Sequence, residues 1–168
     1  MLPQVTGLPK SSSEHLGLKD MEYKHNDGGE WYYRDFMPIS PRGKKVNVHW
    51  GAVPIAIASG IPLPDVNEKL REFYKVCKTK PKLFRLLGEY IVSLGFEWHP
   101  TMKIGQGCKV HLRADELPSG TLLVKCSSEL VAVIDGVAQS KRDPRRDGER
   151  CVYGYWKKVQ VNNQRILL

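Results

Sequence analysis

The spacing of apolar residues changes partway along this 168-residue chain, and that change limits the folds open to it. From Asp65 to Gly95 apolar side chains recur every three or four residues; after residue 120 they fall into short strand-length blocks. Asp65 reads as the N-cap of a helix with Val66, Leu70, Phe73 and Cys77 on its buried face. Arg71, Lys75 and Lys78 fall on another face of the same helix. Pro81 ends that helix and starts a second, lined by Leu83, Leu86, Leu87, Tyr90, Ile91 and Leu94 and closed by Gly95. The small, apolar stretch from Trp50 to Gly60 predicts a shorter buried helix. Pro54 fits only in a first turn, so this helix starts near Ala52 or Val53 and stops at Gly60. Three strands follow: Thr121–Cys126 after a Pro118-Ser119-Gly120 turn, Leu130–Ile134 before Asp135-Gly136, and Cys151–Trp156. Helices first and strands second predict an α+β fold, the N-terminal helices packed on a C-terminal antiparallel sheet.

The length suits one core. Residues 1–20, broken by Pro3, Gly7, Pro9 and three serines, read as a flexible leader, which leaves 21–168 as a single domain. The longest apolar run, Val53–Ala58, is far too short to span a membrane, and the first residues have no signal-peptide pattern. The expectation is a soluble, cytosolic protein. Cys77, Cys108, Cys126 and Cys151 form no CxxC pair, and in a reducing cytosol they read as four buried free thiols. Cys108 and His111 could share a helix face as metal ligands, but no second ligand pair accompanies them, so no metal and no other cofactor is expected.

The formal net charge of +8 is concentrated. Residues 65–85 carry seven Lys or Arg against three acids, and residues 141–158 carry the same balance, including Lys141, Arg142, Arg145 and Arg146. A clustered excess of this kind suits a polyanion-binding surface. An aromatic cluster, Trp31, Tyr32, Tyr33 and Phe36 with Arg34 among them, precedes a Pro- and Gly-marked loop bearing Arg42, Lys44 and Lys45.

Several motifs follow one pattern in order: His25-Asn26-Asp27-Gly28-Gly29, Ile55-Ala56-Ile57-Ala58-Ser59-Gly60, and Leu94-Gly95-Phe96-Glu97-Trp98. They continue with Ile104-Gly105-Gln106-Gly107-Cys108, Glu116-Leu117-Pro118-Ser119-Gly120, Leu130–Gly136 and Arg150–Trp156. Together they resemble a family of small tailed-phage proteins with a papain-type cysteine peptidase pattern, over roughly residues 23 to 158. The resemblance implies a papain-like fold, a nucleophilic cysteine opening the first helix, and a histidine base just before the apolar strand. Counted back without a gap, those positions hold Trp50 and Glu129. Residues 21–76 contain no cysteine at all, so the resemblance implies a pseudo-peptidase rather than an enzyme. Asp135 and Asp143 remain where an orienting acid would be, although both also suit turns. Residues 30–50 are longer than the family pattern and form an aromatic and basic insertion.

The leading functional expectation is nucleic-acid binding, preferably to single-stranded DNA. Trp31, Tyr32, Tyr33 and Trp50 offer stacking faces, and Arg34, Arg42, Lys44 and Lys45 offer charge. The 69–85 and 141–150 clusters would extend the track. Trp50 is weighed more toward core packing, the three residues at 31–33 more toward exposure. In a phage setting, the cytoplasm of the infected bacterial host, such binding would serve to recruit a phage or host polymerase for transcription. The alternative is an inactive-peptidase module that grips a host or phage protein. A hydrolase using Ser127 or Ser128 lacks both a nucleophile elbow and a nearby histidine.

Overall fold

The computed structural model describes residues 20–28 and 50–161. The elements are strand β1 (Glu22–His25), helices α1 (Ala52–Ser59), α2 (Leu63–Val76) and α3 (Lys80–Ser93), and strand β2 (Phe96–Pro100). Strands β3 (Thr121–Cys126), β4 (Glu129–Ile134), β5 (Val137–Ser140) and β6 (Val152–Lys158) complete a six-stranded sheet in the order β1-β5-β4-β3-β6-β2. Among the described strands only the β1–β5 pair is parallel. The α+β architecture read from the sequence is the one observed. Among the described residues no helix is long and apolar enough to cross a membrane.

Helix α1 has Pro54 in its first turn, where a missing N–H costs no hydrogen bond, and ends at Gly60 in the left-handed region (φ 76°). The Gly60 N–H closes the last turn on the Ala56 carbonyl at 2.9 Å. Helix α2 begins earlier than the Asp65 cap implies. Pro62 is extended and Pro64 sits in the first turn, so the proline pair sets the start and leaves Asp65 as the third residue of that turn, beside the positive helix end. It also ends at Val76, so Cys77 is its cap and Lys78 lies in the joint to α3 rather than on the helix face.

The sheet separates two cores. Leu123, Leu130, Ala132 and Trp156 face the helices and pack with Ile55, Leu63, Val66, Leu70, Leu87 and Ile91. Alternate residues Leu122, Val124, Cys126, Val131, Val133 and Val152 face the other way, covered by Met21, Leu112 and Leu117. Each fully buried Leu, Ile or Val contributes about 1.5–3 kcal/mol. The β4–β5 hairpin turns through Asp135 and Gly136, both at positive φ, as a two-residue primed turn requires. Asp135 latches it to the start of β3: its carboxylate accepts from the Gly120 N–H at 3.0 Å, and its own N–H donates to the Gly120 carbonyl at 2.9 Å.

The cysteines differ from expectation. Cys108 and Cys151 are joined in a disulfide; only Cys77, half-buried, and Cys126, buried, are free. Cys108 is exposed, in a loop that doubles back through Gly105 and Gly107, both at positive φ. It shares no helix face with His111, which instead bridges to Cys151 as an isolated antiparallel pair.

Candidate nucleic-acid interface

Two helix ends meet at the joint between α2 and α3. Three of the basic residues there are paired within their own helices: Lys69 with Glu72 (3.3 Å), Arg71 with Glu68 (3.4 Å) and Arg85 with Glu89 (3.7 Å). Lys75, Lys78, Lys80 and Lys82 are exposed and make no ion pair among the described residues. The first turn of α3 holds no acid, so Lys80 and Lys82 add to the positive end of that helix.

Aromatic surface lies beside these lysines. Trp50, expected to fill the core, is 42% exposed. The helix it precedes supplies the core through its small apolar face, Ala52, Ile55, Ala56 and Ala58. The Trp50 ring instead lies 6.2 Å from that of Phe84, which is 41% exposed on α3, one turn after Lys80. Lys125, from β3, places its ammonium 4.7 Å from the Phe84 ring centre, a cation–π contact. Tyr74 is exposed on α2, three residues after Arg71 and so beside it on the helix surface.

The sequence did not single out Tyr74, Phe84 or Lys125. The signal for Phe84 was its place off the stripe of Leu83, Leu86 and Leu87. Trp31, Tyr32, Tyr33, Arg34, Arg42, Lys44 and Lys45 lie outside the described residues.

The second basic cluster does not extend the first. The 141–150 loop belongs to the layer on the far side of the sheet, where Arg113 Nε donates to the Gly148 carbonyl and the Leu112 N–H to that of Arg150. Arg145 is occupied there. It binds both carboxylate oxygens of Asp143 (2.9 and 2.7 Å) and the Met21 carbonyl (2.6 Å). That guanidinium holds the Asp143 carboxyl below the usual range. The Lys141 backbone carbonyl lies 3.1 Å from His25 Nδ1. Arg142 and Arg146 remain exposed.

The two positions singled out by the peptidase pattern are engaged in different layers. Trp50 packs on Phe84 in the helical layer, whereas the Glu129 carboxylate pairs with buried Arg150 at 2.9 Å, beside Cys126. Burial pushes the Cys126 thiol up to about 11, which keeps it protonated and unreactive at neutral pH.

An open groove of about 820 Å³ along β2 and β6 is lined by His99, Lys157 and Lys158, but also by Glu97 and Asp135. Those carboxylates repel a polyanion, so the helix joint is the better candidate. Compared with known protein families, curated proteins and solved structures, the chain matches none.

Proposed function

We propose that this protein is a non-catalytic nucleic-acid-binding protein that takes single strands, preferably DNA, across its helical layer. One observation carries the reading: exposed Trp50 and Phe84 lie ring to ring beside lysines that make no ion pair among the described residues. Bases stack on open aromatic faces only when they are not already stacked and paired, which favours a single strand; each stacked base contributes roughly 1–3 kcal/mol. Lys75, Lys78, Lys80 and Lys82 supply the counter-charge for phosphates along the same path. The resemblance to papain-type phage proteins supports a papain-like pseudo-peptidase in an infected bacterial cell. Recruiting a polymerase to opened DNA is the role that setting suggests.

The test is binding of a fluorescent 20-mer as single-stranded DNA, duplex DNA and RNA across a salt series. The expected result is salt-sensitive binding that prefers single strands, with Trp50→Ala and Phe84→Ala each weakening it about 5- to 100-fold. Equal binding to all three forms would reduce the function to general electrostatics. No binding at low salt would overturn it and favour a protein-gripping module.

A further inference from the structure

We propose that the Cys108–Cys151 disulfide, together with His111 and Glu116, is a thiol–disulfide exchange site whose substrate is a low-molecular-weight thiol. Side chains from two parts of the chain, the 108–116 segment and Cys151 43 residues on from Cys108, converge here. His111 and Cys151 are cross-strand partners. The flanking hydrogen bonds, Leu112 N–H to the Arg150 carbonyl and Val152 N–H to that of Val110, both 2.8 Å, place this pair at a non-hydrogen-bonded position. Side chains are closest at such positions, with Cβ atoms about 4.5–5.5 Å apart on the same face. The Nδ1 atom of His111 lies 3.2 Å from the Glu116 carboxylate, whose other oxygen takes Arg113 at 3.3 Å. With Nδ1 committed, Nε2 is the ring nitrogen left to serve the sulfur. Lys109, the nearest other cation in sequence, is held by Gln106 at 3.0 Å.

The two sulfurs are unequal. Cys108 is exposed, whereas Cys151 is half-buried and has the Met102 sulfur 3.9 Å away. An incoming thiolate therefore attacks Cys108 Sγ. The S–S bond breaks, a mixed disulfide forms at Cys108, and Cys151 leaves with the electron pair and takes a proton passed to it through His111. A second thiolate attacks the external sulfur of the mixed disulfide and leaves as the oxidised small disulfide, while Cys108 departs as a thiolate. Two external thiols are oxidised, one protein disulfide is reduced, and the two protons end on Cys108 and Cys151. Glu116 is a positioning residue: it holds Nδ1 and so fixes the ring on the residue opposite Cys151.

The experiment treats the oxidised full-length protein with reduced glutathione from pH 6 to 9, quenches by alkylation and locates adducts by peptide mass mapping. The expected adduct is on Cys108, followed by two alkylated thiols at 108 and 151. His111→Gln should slow exchange at least tenfold at pH 7 and change how the rate per glutathione thiolate varies with pH, and Glu116→Gln should slow it severalfold. An adduct on Cys151, a disulfide that resists the thiol, or the same pH dependence in wild type and His111→Gln would overturn the proposal. The adduct position needs no variant, so it decides the matter even where a substitution prevents folding.

Discussion

The Glu129 carboxylate lies 2.9 Å from the Arg150 guanidinium, whose side chain is only 7% exposed. Where the peptidase pattern calls for a base, the chain has a counter-ion. Arg150 also donates to the Ser127 carbonyl at 2.7 Å, while its Nε has no partner among the described residues. Glu129→Ala leaves a buried charge half-satisfied. Breaking a fully buried pair costs about 3–5 kcal/mol, and because Glu129 is partly open to water the expected loss is lower, about 1–3 kcal/mol by urea denaturation. Glu129→Gln keeps an acceptor and should lose less. Equal stability of all three proteins would show that the pair contributes nothing.

Cys126 gives the fold an alkaline limit. Its thiol is raised from 9.0 to about 11, chiefly by burial, with Arg150 pulling it back and Glu129 adding to the rise. Below pH 9 both folded and unfolded thiols are protonated, and its contribution is fully present. Between pH 9 and 11 the unfolded chain ionises while the folded one does not, so stability falls with pH, by an order of 2–3 kcal/mol for this group. Cys126→Ala should flatten that limb in thermal melts at pH 8 to 11. An unchanged limb would assign the loss to other groups.

Gly154 in β6 is required by its neighbour across the strand pair. A methyl group there would overlap the Trp98 ring and come within 3.0 Å of the His99 carbonyl. Trp98 has little freedom to move, because its ring lies 4.3 Å from that of Trp156. Gly154→Ala should cost about 1–3 kcal/mol, the usual penalty for overpacking. Adding Trp98→Ala should recover part of that loss, so the double variant is more stable than the sum of the singles. Strict additivity, measured by urea melts, would place the cost in the backbone instead.

The legible parts of this fold were those whose residues carry their own pattern. The stripes of α2 and α3 and the apolar blocks of β3 and β4 are written in adjacent side chains, because each element buries a continuous face. Strands β1 and β2 are the two sheet edges, with Glu22, Lys24, His25 and Glu97 open to solvent, and β5 is four residues long. Edges need few apolar residues, so alternation does not mark them. The disulfide was hidden for another reason. It depends on a loop turning back through Gly105 and Gly107 to meet β6, a contact spanning 43 residues. At the candidate interface the cationic segment was visible, but the division of charges was not: pairing within helices removes Lys69, Arg71 and Arg85, and Asp143 removes Arg145.

That division predicts which charges set the salt dependence of binding. On a single strand each phosphate neutralised contributes about 0.7 to the slope of log affinity against log salt. Lys80→Gln with Lys82→Gln should therefore reduce the slope by about 1.4, if both ammonium groups meet phosphates. Arg142→Gln with Arg146→Gln removes the same charge from the opposite layer and should leave the slope nearly unchanged. Lys69→Gln should change it by less than Lys80→Gln, because Glu72 already compensates that ammonium at 3.3 Å. Titrations of the labelled 20-mer at four salt concentrations measure all of these. Equal slope losses from the two double variants would mean that the strand contacts both layers, and the helix joint would lose its claim as the binding path.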